Sequence, residues 1–305
     1  MKNIILGSCV IGSIAKSIYG DKCDIIPCGK SRFYQQDVFD DNTISVDAKQ
    51  YLPDILPKYS YRLKRSSISI KGKLVFSFDE ILKNMVSSKL FGNDRHPAFQ
   101  SLFKECETVT LIDIKEIYRL QAEKNKTAIF EGLHKYGHII EINLENKEII
   151  TTTGNHRYDN LISTIPLSAL YRYTKQQRYF KYTDLWVYQI SCNKIDIEDS
   201  DVVYVADHEY DIAIVRPVTS HNGSRYNFYC LNEIVDKQRY FGAFFNSLFI
   251  FNETHIPEAY PSCCPPNLSE LENNGIYCVG KHAQCDYFMD FASSAKRLRL
   301  LEEKL

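Results

Sequence analysis

The stretch Asn3-Ile4-Ile5-Leu6-Gly7-Ser8-Cys9-Val10-Ile11-Gly12-Ser13-Ile14-Ala15 decides how the rest of the chain is read. Its apolar start predicts a strand buried on both faces, as parallel sheets require. Gly7 then takes a turn that a Cβ would obstruct, and Gly12 lets the following helix pack close to the strand. A helix beginning here aims unpaired N–H groups and the positive end of its dipole at a pyrophosphate. The G-x-G-x-x-G pattern lacks its middle glycine, because Cys9 stands there and its Cβ narrows the closest approach of backbone to phosphate. The plainer reading is an apolar strand–turn–helix whose two glycines serve packing alone.

Downstream, Lys22-Cys23-Asp24-Ile25-Ile26-Pro27-Cys28 predicts a short second strand. Dinucleotide folds usually end this strand in an acid that holds the ribose hydroxyls. Here Pro27-Cys28-Gly29-Lys30 follows, with Lys30 and Arg32 either touching phosphate or simply solvated.

The 305 residues are 44% hydrophobic, enough to bury one large or two modest cores. A net charge of −1 gives no general attraction to nucleic acid or anionic membrane. Ten irregularly spaced cysteines read as reduced, buried thiols of a cytoplasmic protein. The apolar run before Cys9, Ile4 to Leu6, is too short for a lipoprotein signal, and no stretch is long enough to span a membrane.

The hydrophobic pattern then sets out the elements. A helix is expected over 13–19 and a hairpin around Lys71-Gly72-Lys73. Another helix over 78–90 should bury Ile81, Leu82, Met85 and Val86. A β-hairpin over 138–153 turns at Asn146-Lys147, and further strands are expected at 186–191, 202–206 and 213–218. Gly275-Ile276-Tyr277-Cys278-Val279-Gly280 reads as a buried strand reaching a glycine, followed by a helix over 288–305. The order of elements over 97–124 stays open.

Three separated segments fit one pattern: the Gly7–Gly12 turn, Tyr158-Asp159-Asn160-Leu161-Ile162-Ser163-Thr164-Ile165-Pro166-Leu167, and the run from Gly275 through Gly280-Lys281-His282-Ala283-Gln284-Cys285-Asp286-Tyr287-Phe288-Met289-Asp290. Together they resemble the FAD-binding amine-oxidase-like flavoproteins, most closely the UDP-galactopyranose mutase-like branch. The resemblance covers roughly 40 residues directly. It implies an α/β fold, with a discontinuous Rossmann-like FAD-binding domain (1–50, 136–170 and 261–305) and an inserted α+β substrate domain (51–135 and 171–260). It implies FAD as cofactor, with Gly7, Ser8, Cys9 and Gly12 at the ADP pyrophosphate. Gly280 and Lys281 would lie against the pyrophosphate and ribityl chain, and Phe288 and Met289 near the isoalloxazine. The family usually carries Arg where Lys281 stands, so the charge is kept and the planar fork is lost.

Arg216, in Ile212-Ala213-Ile214-Val215-Arg216-Pro217-Val218-Thr219, matches the branch's substrate-facing arginine; alone, it reads equally as a surface residue at a strand end. The implied activity is oxidation of a small amine-type substrate, or rearrangement of a sugar nucleotide at the flavin N5. A flavin-free descendant serving as a nucleotide-binding or assembly protein is the alternative. The strip from Tyr171 to Tyr182 interleaves cations with aromatics but lacks a wider basic field, so nucleic acid is not the expected partner. Cys263-Cys264-Pro265-Pro266, and Cys278 with His282 and Cys285, lack zinc spacing and read as buried thiols, and no metal site is expected. No protein nucleophile is marked by an elbow or triad motif.

Overall fold

A computed structural model describes residues 2–28, 43–45, 51, 60–76, 78–92, 106–111, 114–193, 195, 197, 200–218, 225–245, 247–263, 265–286 and 291–305. Lys30, Arg32, Phe288, Met289 and Asp290 lie outside them. Among the described residues, two sheets carry most of the fold.

The smaller has four strands, all parallel, in the order Ile276–Cys278, Asn160–Ser163, Asn3–Leu6, Cys23–Ile26. It joins both ends of the chain to its middle. Every residue of Asn3–Leu6 is buried, because both faces of this sheet are covered. Period-two alternation sorts the side chains between the two sides. Ile5, Ile25 and Ile162 face the first helix Val10–Tyr19 and the C-terminal helix Phe291–Glu302, which contributes Ala292, Ala295, Leu298 and Leu301. Ile4, Leu6, Ile26, Leu161 and Ile276 face the other way, onto Ile142, Ile149, Leu167 and Leu170. That second layer combines the helix Leu167–Tyr173 with a three-stranded antiparallel meander, Ile139–Asn143, Glu148–Thr151 and Gly154–Arg157, with Lys147 at φ 50 in its first turn.

Two further helices, Ile114–Lys124 and Lys126–Tyr136, also pack here, against the first helix and the second strand. At Gly132 the second of them comes so near the strand that a Cβ would stand 1.9 Å from the Ile25 carbonyl oxygen.

The larger sheet has nine strands. Its order is Leu248–Pro261, Tyr182–Cys192, Arg225–Cys230, Ile212–Pro217, Val202–Val205, Ser60–Ile70, Cys106–Leu111, Thr43–Ser45, with Lys73–Val75 paired to Ser60–Ile70. Its ladders are antiparallel except that of Val202–Val205 on Ser60–Ile70. One face takes the helix Glu80–Phe91 through Val86, Leu90 and Phe91, and the other takes Phe241 of the helix Lys237–Gly242.

The pattern reading differs from the structure at several ends. The helix expected over 78–90 runs from Glu80 to Phe91, capped by the Asp79 carboxylate, which accepts from Leu82 N at 2.8 Å. Leu82, Val86 and Leu90 lie one above another on the core side, and Ile81, off that line, is 71% exposed. The first helix begins three residues earlier than expected, at Val10, because Cys9 is its cap residue. The C-terminal helix is described only from Phe291, and Gly280 is followed by the single turn Lys281–Gln284. The cationic strip divides between a helix end and a connection, where Lys175 pairs with Glu141 and Arg178 with Glu270.

Candidate functional site

The carboxyl edge of the parallel sheet is level. Leu6 pairs with both Ile26 and Ser163, and Ser163 pairs with Cys278. One residue further on, each chain still holds its neighbour. Gly7 N donates to the Ile26 carbonyl, Thr164 N to that of Leu6, and Val279 N to that of Ser163, each at 2.9 Å. The first strand has its crossover partner on one side and the middle strand on the other. The order therefore reverses at Leu6, and ligands of open α/β sheets bind at such a switch point.

Gly7 turns at φ +103, a conformation that side chains rarely adopt, and a Cβ there would stand 2.6 Å from Thr164 Oγ1. Gly12 is constrained by space. Its Cβ would lie 2.0 Å from the Gly7 carbonyl oxygen, so the helix can sit this close to the turn only without one. Thr164 fastens the arrangement from beneath, its hydroxyl donating to the Leu6 carbonyl at 2.9 Å. Ser13, fully buried in the helix's first turn, donates to the Ser8 carbonyl at 3.1 Å. Ser8 and Cys9 are half-buried on the rim of this turn.

Cys9 occupies the cap position in an extended conformation open to any residue (φ −66, ψ −174). Its sulfur lies 3.5 Å from Thr164 Oγ1, drawn onto the middle strand. The first turn of this ten-residue helix carries no acidic residue, so nothing there opposes the positive end of the dipole. Cys28, just past the second strand, is close enough to Cys9 for the two to interact, and burial pushes its thiol up to about 12.

Gly280 stands on the same edge. It is buried at φ +114, and among the described residues a Cβ there would meet only Ile11 of the first helix, at 3.8 Å. The two glycine turns thus face one another across the start of that helix. Lys281 is half-buried and opens the following turn, whose His282 Nε2 lies 3.0 Å from the Glu258 carbonyl of the large sheet. In the same turn Gln284 is 9% exposed, and its buried Oε1 has no hydrogen-bond partner among the described residues.

Arg216 lies apart from this edge in sequence and sheet. It sits on Ile212–Pro217, an interior strand of the nine-stranded sheet, half-buried, with its guanidinium 5.7 Å from the Tyr229 ring centroid. Among the described residues no group of His, Cys, Asp and Glu side chains is arranged to hold a metal ion, and no helix is long and apolar enough to cross a membrane.

The sequence reading names Gly7, Ser8, Cys9, Gly12, Gly280 and Lys281, and the structure brings these six to one sheet edge. It leaves out Thr164, whose hydroxyl works across 158 positions of sequence, and the buried amide of Gln284. Thr164 had a signal, since it lies within the quoted middle strand; Gln284 had none.

No protein-family model matches the sequence, and no curated protein matches it. Solved structures do match. Reduced UDP-galactopyranose mutase superposes with TM-score 0.59 at 12% identity, covering 100% of this chain and 94% of that one. Cyclohexylamine oxidase from Brevibacterium oxydans gives 0.62 at 8%, covering 99% of each. An oxidoreductase from Methanosarcina mazei gives 0.61 at 11%, covering 99% of this chain and 100% of its own. With the parallel sheet joined from both ends of the chain and its glycine turns on one edge, the chain has the fold of the amine-oxidase-like flavoproteins, mutase and oxidase alike.

Proposed function

We propose that this chain is an FAD-dependent flavoenzyme of the amine-oxidase and UDP-galactopyranose-mutase-like class, acting on a small molecule. The observation that carries the reading is the shared edge. Two glycine turns from opposite ends of the chain face each other across the start of one helix. The residues fit the cofactor at its pyrophosphate. The Gly7–Gly12 turn offers the free N–H groups of the first helix, without an acid nearby, and Gly280 leaves open the space its own Cβ would fill. The chain departs from the pattern at Cys9, which replaces the middle glycine, at Lys281, which replaces an arginine, and at the end of the second strand, where Pro27 and Cys28 offer no carboxylate to a ribose.

In this reading Gly7, Ser8, Cys9 and Gly12 hold the pyrophosphate, while Gly280 and Lys281 lie along the pyrophosphate and ribityl chain. Bound FAD would supply either hydride acceptance or nucleophilic chemistry at N5. The chain's own work is to bind, orient and exclude water. The helices of 114–136, which the sequence division places in the substrate domain, pack on the parallel-sheet unit, so in this reading they join it in the cofactor domain, and the nine-stranded sheet forms the substrate domain. Arg216, held against Tyr229, binds the substrate there. An arginine fork suits a carboxylate or a diphosphate equally, which keeps amine-type and sugar-nucleotide substrates both within the class.

The discriminating experiment presents the FAD-loaded protein with amines and with sugar nucleotides. Bleaching of the flavin by an amine identifies the oxidase chemistry. Turnover of a sugar nucleotide only after reduction with dithionite identifies the rearrangement. A protein that takes up no FAD refutes the reading and leaves the flavin-free alternative.

A further inference from the structure

The strand Leu248–Pro261 belongs to the large sheet and the Gly280 turn to the small one, and two thiols meet where they touch. Cys263 lies two residues beyond the strand's end, and Cys285 directly follows the turn Lys281–Gln284. Their sulfurs stand 3.2 Å apart. That is closer than ordinary van der Waals contact, and a disulfide needs about 2.05 Å. The two partners differ in access. Cys285 is fully buried at φ 51, and burial together with the neighbouring Cys263 pushes its thiol up to about 12. Cys263 is half-buried and gives solvent its approach to the pair. An accessible attacking sulfur backed by a buried resolving one is the arrangement a reversible disulfide requires.

We propose that Cys263 and Cys285 are a redox-active pair, which a low-molecular-weight disulfide such as oxidised glutathione converts into an intrachain disulfide tying the large sheet to the Gly280 turn. The Cys263 thiolate first attacks one glutathione sulfur, forming a mixed disulfide and releasing one glutathione. The Cys285 sulfur then attacks the Cys263 sulfur, and its proton passes to the second departing glutathione thiolate. Two protein thiols are oxidised and one glutathione disulfide is reduced to two thiols, so atoms and electrons balance. The new bond encloses the strand Ile276–Cys278 and Gly280 in a covalent loop. It needs the two sulfurs and no flavin, so it stands or falls apart from the cofactor reading.

Trypsin separates the partners, because no Lys or Arg lies between Tyr240 and Val279, and cleavage at Lys281 and Lys296 leaves Cys285 on its own peptide. The full-length protein is equilibrated in glutathione buffers of rising potential, alkylated, digested and weighed by mass spectrometry. Peptides 240–281 and 282–296 are expected as one linked species in the wild type, in Cys264→Ser and in Cys278→Ser. They are expected apart in Cys263→Ser, with its circular dichroism spectrum unchanged to show that the fold is kept. Separate, fully alkylated peptides from the wild type at the most oxidising potential would overturn the proposal. So would a link that survives in Cys263→Ser.

Discussion

At Gly12 a single methyl group meets backbone, not a yielding side chain: the Gly7 carbonyl oxygen would lie 2.0 Å away, in a residue tied to the second strand by its N–H to the Ile26 carbonyl. Gly12→Ala is therefore expected to cost about 3 kcal/mol or more, read from urea unfolding, and a loss below 1 kcal/mol would show that the helix can move off the turn. Gly280→Ala tests a different mechanism. Space is open there, so the cost is conformational, about 1–3 kcal/mol. Thr164→Val removes a hydroxyl whose acceptor, the Leu6 carbonyl, keeps its bond from Thr164 N. About 1 kcal/mol is expected from urea unfolding. These positions were unequally visible in the sequence. Gly7 and Gly12 stood out because they follow an apolar strand at the spacing of a strand–turn–helix. Thr164 lay within the quoted middle segment, but its hold on the turn follows from the parallel pairing of 3–6 with 160–163. Arg216→Ala should raise the KM for substrate while leaving the FAD dissociation constant within about twofold; equal loss of both would remove it from the substrate site.

The helix Glu80–Phe91 shows what an amphipathic pattern conveys and what it omits. The pattern marked the segment correctly, yet packing buries Val86 and Leu90 and leaves Ile81 in solvent, and the Asp79 cap rests on one hydrogen bond that hydrophobicity does not register. Nor does the pattern show that Lys89 lies on the buried side, its ammonium donating to the Asp207 and Ile212 carbonyls at 2.5 and 2.6 Å. Burial lowers this lysine to about 8, partly offset by the charges of Asp207 and Asp211. Between there and its ordinary 10.5 the unfolded chain holds a proton that the folded chain has released. Stability from this group therefore rises with pH across that window. The wild type should gain in urea midpoint relative to Lys89→Met between about pH 8 and 10; a constant or falling difference would contradict the assignment.

Across the whole molecule, alternation and β-branched runs give the short strands of the parallel sheet, the hairpin of 138–153 and three strands of the large sheet, whereas Arg225–Cys230, Leu248–Pro261 and Cys106–Leu111 went unread. The joining of both chain ends into one sheet does not follow from such runs, since it depends on contacts that local pattern cannot express. It was legible only because three short motifs agree in type and order. Burial of thiols throughout these cores has its own consequence. Cys23, Cys28 and Cys278 are each pushed up to about 12 by burial, from an ordinary 9.0. Folded-state values above the unfolded ones mean that this contribution is complete below pH 9 and lost as pH climbs toward 12. Thermal unfolding under reducing conditions should therefore decline above about pH 9, and unchanged midpoints to pH 11 would contradict the burial. The central claim, that one sheet edge built from both ends of the chain holds FAD, is tested most directly by the visible absorption of the purified protein after incubation with FAD and removal of the excess. The account predicts a retained yellow chromophore with bands near ~370 and ~450 nm, in stoichiometric amount. A colourless protein, with all the flavin recovered in the flow-through, would contradict it.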